Sequence, residues 1–181
     1  MKRWVGWTLG GALVAAAWAV AAVTPGEHAY EDPFPVAVEV GETGIGRNVA
    51  VTVLDMRRAE TVRAGSWSAE GNWVVVDLEA EAVESEFGTL LTRATLDIDG
   101  RTFSASERPE SLLRAALSVG IPRTGSVAFE LAEDVDAGRG ILRFGLDTDP
   151  RLDSVIVLDI DLDALAVESA VDMLPTEWSR R

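Results

Sequence analysis

The chain contains no cysteine and one histidine, His28, among its 181 residues. The absence of cysteine excludes disulfide bonds and thiolate catalysis, and the single histidine excludes His-rich zinc sites. A Ser-His-Asp arrangement would have to use His28, which lies in a Pro- and Gly-rich stretch that is a poor place to hold a catalytic geometry. The stretch "GETGIGR" at 41–47 lacks the lysine of a phosphate-binding loop. These absences predict a protein that is not an enzyme and holds no cofactor.

Carboxylates are abundant, so a glycosidase-like pair of acids is not excluded by counting alone. Such a pair needs a cleft and one carboxyl group whose pKa is raised by burial. The acidic residues here mostly alternate with apolar ones, and this alternation places them in solvent. The sequence therefore offers no catalytic, cofactor-binding or metal-binding residue to name with any specificity.

Basic residues are scarce. Sixteen Lys and Arg stand against 30 Asp and Glu, which gives a net charge of −14. Without Lys2 and Arg3, which precede the apolar segment at the N-terminus, 14 basic residues remain and the charge is −16. Nucleic acids and anionic lipid surfaces bind concentrated positive charge, so neither is an expected partner. A cationic partner or metal ions would suit this charge better.

A single long apolar run extends from Trp4 to Val23 without a charged residue. About twenty such residues form a helix long enough to cross the hydrocarbon core of a membrane. The basic residues before it and the acidic residues after it predict a cytoplasmic N-terminus and a C-terminal part outside the cell membrane. Residues 1–23 are thus predicted to be a transmembrane anchor. A cleaved signal segment is the alternative, in which case the protein is secreted.

The rest of the chain divides into three parts by composition. Residues 24–45 are acidic and rich in Pro and Gly, which predicts a linker with a first short strand at Val36–Val40. Residues 46–163 carry the strand patterns of a single domain. Residues 164–181 form a tail in which a short helix is expected around 164–173, followed by a loose end.

Period-2 alternation is the dominant pattern of the central part and predicts strands with one buried face. Asp99-Gly100 has the chemistry of a type I′ hairpin turn. The absence of strand–helix alternation favours an all-β antiparallel sandwich. The residues predicted to face the core are Val49, Val51, Val53, Val74, Val76, Leu78, Ala80, Ala82, Ala94, Leu96, Ile98, Val127, Phe129, Leu131, Leu142, Phe144, Leu146, Ile156, Leu158, Ile160 and Leu162.

The connection between Ser104 and Gly125 interrupts this pattern. Pro109 is suited to begin a short helix that carries apolar residues, and Gly120 would end it. A connection of this length often carries function. An equally good interpretation is a plug that closes one end of the sandwich.

The segment "VLDIDLDALAVES" at 157–169 places Asp159, Asp161 and Asp163 on alternate positions. An EF-hand loop that began at Asp159 would need Gly where Ala164 stands and Glu where Ala170 stands. The solvated face of a strand is therefore the preferred interpretation. A weak calcium site that also uses Asp147, Asp149 or Asp153 remains the alternative.

Three tryptophans outside the N-terminal run are candidates for burial or for binding. Trp73 enters a run of valines and is predicted to fill the core between two sheets. Trp67 lies in a turn-rich stretch and could be covered or could bind a sugar or peptide by stacking. Trp178 lies in the tail, where a docking peptide is one interpretation and a frayed end is the other.

Three stretches, "GNWVVVDLEAEAV" at 71–83, "TLDIDGRTFSAS" at 95–106 and "GIPRTGSVAFELAED" at 120–134, resemble an exported bacterial family of immunoglobulin-like β-sandwiches of unknown function. That family includes a secreted immunogenic antigen, and some members carry the label of telomeric repeat-binding factors. The resemblance spans residues 46–163 and implies an immunoglobulin-like fold. It carries over no catalytic residue, and the acidic charge contradicts the nucleic-acid label.

Two functions from different classes fit these observations. The first is a non-enzymatic interaction module, anchored in the cell membrane, that binds another cell-envelope or transporter protein through its edge strands or its long loop. The second is an extracytoplasmic domain that binds or senses a cation or other ligand through its acidic face.

Overall fold

The computed structural model describes residues 12–20, 33–147 and 151–179. Residues 12–20 form a helix. Within these described ranges, no helix has both the length and the hydropathy needed to cross a membrane. The predicted anchor from Trp4 to Val23 falls largely outside the described residues, as does His28, so the anchor stays a prediction. Residues 33–181 form a separate compact unit.

The described residues of this unit form strands and one short 3-10 helix, Leu162–Ala164. The strands in chain order are β1 Phe34–Ala37, β2 Thr43–Ile45, β3 Val49–Ala64, β4 Trp67–Ala82, β5 Arg93–Ile98, β6 Arg101–Ser104, β7 Arg123–Leu131, β8 Arg139–Gly145, β9 Ser154–Asp161, β10 Val167–Glu168, β11 Val171–Asp172 and β12 Glu177–Trp178. The predicted all-β sandwich is confirmed. Strands β1 and β2 lie within the segment predicted as a linker.

The strands form two sheets. The first sheet has the order β1-β9-β8-β5-β6, and the second has the order β10-β3-β4-β7-β12, with β2 and β11 also paired to β3. Neighbouring strands are antiparallel except for β1 against β9 and for β10 and β11 against β3, which are parallel. The long hairpin of β3 and β4 is the centre of the second sheet.

The core between the sheets is built by the alternation that the sequence shows. Val74, Val76 and Leu78 of β4 pack in one cluster with residues of the first sheet such as Leu96 and Phe144. Every predicted inward position named above belongs to this cluster or, for Leu146, packs against it. The hairpin turn at Asp99-Gly100 is also confirmed, because both residues have positive φ angles, 49° and 80°, as a type I′ turn requires.

The prediction for Trp73 is wrong in one respect. Its side chain is fully buried, but it belongs to a second cluster with Val75 and Ala128 rather than to the core between the sheets. Successive residues of a strand face opposite sides of the sheet, so an inward Val74 turns Trp73 outward. Val171 and Met173 of the tail cover this outer cluster.

The connection after β6 contains no helix, contrary to the prediction from Pro109. Its backbone N–H groups bond to other strands and loops instead: Leu112 to the Ser126 carbonyl at 3.0 Å and Leu117 to the Thr89 carbonyl at 2.9 Å. Leu112 and Leu117 are both buried in the core between the sheets. These partners outweigh local helix propensity, and the segment seals one end of the sandwich, as the plug interpretation expected.

The predicted tail helix at 164–173 is also wrong. After the 3-10 helix, β10 and β11 run along the edge of β3, and β12 pairs with β7 on the far side of β4. Between these pairings the tail crosses the outer face of the second sheet, where the Leu174 N–H donates to the Ser126 hydroxyl at 2.7 Å. Burial of Val171 and Met173 favours this extended path over a solvent-exposed helix.

Candidate functional site

The acidic segment of the sequence lies mainly in β9. Asp159 is exposed on the outer face of the first sheet, opposite Ile141. Asp161 accepts a hydrogen bond from the Asp163 N–H at 3.1 Å, and Asp163 accepts one from the Gly138 N–H at 3.2 Å. The Asp161 carboxylate caps the 3-10 helix, and the Asp163 carboxylate holds the loop that precedes β8. The solvated-strand interpretation therefore describes Asp159, while Asp161 and Asp163 have structural hydrogen bonds.

Arginine side chains lie beside acidic residues on the same face of the first sheet. Arg143 forms an ion pair with Asp97, and the Arg139 Nε lies 3.5 Å from Asp161. Within the described ranges, no group of three or more acidic or histidine side chains is arranged to hold a metal ion. Asp149, which the predicted weak calcium site would also use, lies outside the described residues.

A second acidic row lies on the outer face of the second sheet, beneath the tail. Asp77 is buried, accepts a hydrogen bond from the Ser126 hydroxyl and forms an ion pair with Arg57. Further along, Glu79 accepts hydrogen bonds from Thr124 at 3.1 Å and from Ser179 at 2.7 Å. Both networks join the sheet to the tail, so their role is to fasten the chain's own C-terminal segment.

Three of the four sheet edges offer little room for an added strand, and the fourth is β6, the outer strand of the first sheet. Both edges of the second sheet are occupied, because β2, β10 and β11 line β3, and β12 and the connection after β6 line β7. In the first sheet, the Phe34 N–H donates to the Asp153 carbonyl at 2.9 Å and the Val38 N–H donates to the Val157 carbonyl at 3.0 Å. Pro35 between them has no N–H to offer a partner, a common protection of edge strands.

Exposed apolar side chains instead gather at one end of the sandwich. Val83, Phe87 and Leu90 lie in the loop between β4 and β5, and Val119 and Ile121 lie just before β7. Backbone bridges from Ala82 to Val119 and from Leu90 to Ala116 bring these two segments side by side. We call these five exposed residues the apolar end. Phe87 is 98% exposed, and Ile121 is 52% exposed.

The loop that carries Phe87 is tied to Asn48 by four hydrogen bonds. The Asn48 carboxamide oxygen accepts the N–H groups of Glu84 and Ser85, each at 2.8 Å. Its nitrogen donates to the Ser85 carbonyl and to the Thr89 hydroxyl. A Glu86 carboxylate oxygen accepts the Val119 N–H at 3.1 Å, which fixes the loop to the other half of the apolar end. Phe87 is therefore presented by an ordered loop.

The first strand of the sandwich is tied to the segment that holds this loop. Phe34, the first residue of β1, pairs with Ser154, whose hydroxyl accepts the Arg47 N–H at 3.0 Å. Arg47 directly precedes Asn48, which holds the Phe87 loop. The start of β1 is thus connected to the apolar end through Ser154, Arg47 and Asn48.

Neither of the sequence-predicted candidate tryptophans is a free stacking surface. Trp67 meets Trp73 edge-on with ring centroids 6.0 Å apart, and the Arg108 guanidinium lies over both rings. Trp178 is partly exposed, but its strand β12 pairs with β7. The Arg123 guanidinium lies over its ring, 4.4 Å from the ring centroid. The tail therefore docks on its own chain. Sequence reasoning missed Phe87, although an aromatic residue inside the acidic, Gly-ended stretch "ESEFG" at 84–88 is unusual enough to be noticed.

Comparison with known proteins supports the fold alone. No protein-family profile and no curated protein matches the chain. A secreted protein from Mycobacterium tuberculosis, MPT63, has a similar structure, with 13% identity, a TM-score of 0.51 and coverage of 71% of this chain and 100% of that chain. An uncharacterized beta-sandwich protein from Clostridium difficile 630 has 12% identity, a TM-score of 0.47 and coverage of 72% and 95%. The likeness to MPT63 is one of overall fold.

Proposed function

We propose that this chain is a non-enzymatic, immunoglobulin-like interaction module of the bacterial cell envelope, anchored by residues 1–23 and exposed outside the cell membrane. The apolar end binds another envelope or transporter protein. If the N-terminal segment is cleaved, the same module acts as a secreted protein. The observation that carries this proposal is the ordered presentation of Phe87.

An exposed Phe on an ordered loop is costly to maintain without a partner. Isolated exposed apolar residues are common, but several of them on two adjacent segments at one end of a domain favour an interaction site. Aromatic residues at the centre of such a group contribute a large share of binding energy. Because Asn48 already orders the loop, little conformational entropy is lost when Phe87 enters a partner's pocket.

The proposal shifts the binding surface away from the sheet edges that the sequence suggested. The β1 edge is protected by Pro35, and the edges of the second sheet are filled by the chain's own segments. Docking through loops at one end needs no free strand edge. The apolar end is therefore a surface through which a protein partner can dock without adding a strand.

Site-specific photo-crosslinking in intact cells tests this proposal. A photoreactive amino acid replaces Ile121 in the full-length chain, and the crosslinked products are identified by mass spectrometry. Phe87→Ser in the same chain should abolish the main product, because it removes the side chain that anchors the partner. Val167→Ser is the matched control, since Val167 is 55% exposed but lies in β10, away from the apolar end.

The two variants separate the possible results. Loss of the product with Phe87→Ser and its retention with Val167→Ser support the apolar end as the binding site. A product that is unchanged by Phe87→Ser contradicts the proposal. Replacing residues 1–23 by a cleavable export signal then shows whether the interaction needs the anchor. Loss of the product would identify the chain as a subunit held beside its partner in the membrane.

A further inference from the structure

The loop that carries Phe87 is negatively charged and contains no cation. Glu84 and Glu86 precede Phe87 in the chain, and the loop sequence "VESEFGTLL" at 83–91 has no Lys or Arg. Both glutamates are exposed. Among the residues that the structure describes, neither carboxylate belongs to an ion pair. The Glu86 hydrogen bond to the Val119 N–H leaves its negative charge in place.

Both carboxylates belong to residues within three positions of Phe87 in the same loop. Asn48 holds the backbone of Glu84, and Val119 holds the side chain of Glu86. A pocket that receives Phe87 and contacts this loop would bring its rim near both glutamates. A carboxylate that loses water without gaining a partner is strongly unfavourable, and a like charge placed opposite it costs more still. Cations on the rim remove both costs.

The net charge of the whole molecule also favours a cationic partner. A net charge of −14 creates a negative field that accelerates encounter with cationic surfaces. The same field disfavours a second copy of the chain, because a symmetric contact through the apolar end would bring four loop carboxylates together. An anionic lipid surface is disfavoured for the same reason, since juxtamembrane binding of that kind depends on Lys and Arg.

Resting on the function proposed above, we infer that the partner receives Phe87 in an apolar pocket whose rim carries arginine or lysine side chains. Phe87 supplies the affinity, and Glu84 with Glu86 select for the cationic rim. Charge selection of this kind excludes apolar surfaces with neutral or acidic surroundings.

The same crosslinking system tests this inference in membranes isolated from the source cells. The probe is the photoreactive residue at position 121, and the readout is the yield of its main product at low and at high salt. The charge variant is the double substitution Glu84→Gln and Glu86→Gln. The carboxamide introduced by Glu86→Gln keeps an oxygen that can accept the Val119 N–H, so the loop stays fixed. The matched control is Glu60→Gln with Glu133→Gln, which removes the same charge from exposed sites elsewhere.

We expect the charge variant to lower the yield about fivefold at low salt, which is the scale of two exposed ion pairs of about 0.5 kcal/mol each. High salt should reduce that difference by screening, and the control should change the yield little. The crosslinked peptide of the partner should lie next to Lys or Arg residues.

Each other outcome is decisive. If Phe87→Ser lowers the yield but the charge variant does not, the docking function stands and the cationic rim is wrong. If Phe87→Ser has no effect, the proposed function itself fails. A lipid adduct or a dimer of this chain as the main product overturns both proposals.

Discussion

Trp73 and Val74 are neighbours in β4, yet their side chains are buried in different layers of the molecule. Val74 packs between the two sheets, whereas Trp73 packs on the outer face of the second sheet, beneath Val171 and Met173. The sandwich is therefore three layers thick at this point, with the C-terminal tail as the third layer. The tail is part of the fold.

Burial of Met173 should make a measurable contribution to stability. We expect Met173→Ala to lower the free energy of unfolding by about 2 kcal/mol, because it removes buried apolar surface and leaves a cavity over Trp73. Leu174→Ala is the control, since this neighbour is 38% exposed, and its loss should stay below about 1 kcal/mol. Urea denaturation followed by tryptophan fluorescence measures both. Equal losses would contradict the position of Met173 in the third layer.

The sandwich could be predicted because apolar and polar residues alternate with period 2 along most strands. The same rule gives the side of the sheet on which Trp73 lies. Because Val74, Val76 and Leu78 face inward, their neighbour Trp73 must face outward. The β3 strand shows where the rule stops. The register of β3 against β4 shifts between Val53 and Asp55. Val53 pairs with Leu78 and Arg58 pairs with Val74, so both lie opposite inward residues although they are five positions apart. A strict period of two cannot place both on the same face.

The tail and the connection after β6 could not be predicted from local pattern. Both contain helix-compatible apolar spacing, but their backbone groups bond to distant strands, such as Leu112 to Ser126 and Met173 to Arg63. Long-range hydrogen bonds of this kind override propensities of less than about 1 kcal/mol per residue. The Phe87 surface was missed for a different reason: exposure of a loop side chain depends on what folds around it.

The hydroxyl of Ser126 links the sheet to the tail. It donates to the buried Asp77 carboxylate and accepts the Leu174 N–H at 2.7 Å. Ser126→Ala leaves both groups without this partner, and we expect a loss of about 1–3 kcal/mol in unfolding free energy. Ser68→Ala, at an exposed position of β4, should cost much less.

A double-mutant cycle distinguishes a network from two independent sites. Asp77→Ala combined with Ser126→Ala should cost clearly less than the sum of the two single losses, because each change removes one partner of the same hydrogen bond. Chemical denaturation of the four proteins supplies the cycle. Strict additivity would show that Asp77 and Ser126 do not interact in solution.

Asn48 should control the order of the Phe87 loop. In Asn48→Ala, the N–H groups of Glu84 and Ser85 lose their acceptor, and we expect their amide hydrogen exchange to accelerate at least about tenfold. Asn48→Asp keeps the acceptor oxygen and loses the donors to Ser85 and Thr89. Exchange at the Glu84 and Ser85 amides should therefore remain slower in Asn48→Asp than in Asn48→Ala. Identical exchange in the two variants would contradict the role assigned to the Asn48 oxygen.

Asp134 provides a prediction about acid. A hydrogen bond from the Arg101 guanidinium, 2.9 Å from the carboxylate, lowers the pKa of Asp134 below its ordinary value. A carboxyl whose pKa is lower in the folded state stabilises the fold above its unfolded-state pKa, and this contribution disappears as the pH falls through the folded-state pKa. Arg101→Gln should return the pKa of Asp134 toward its ordinary value and remove that pH-dependent contribution. Carboxyl carbon NMR titration measures the change directly. Arg139→Gln removes the cation beside Asp161 and should leave the titration of Asp134 unchanged. An unchanged titration of Asp134 in Arg101→Gln, or a shifted one in Arg139→Gln, would show that Arg101 is not the cause.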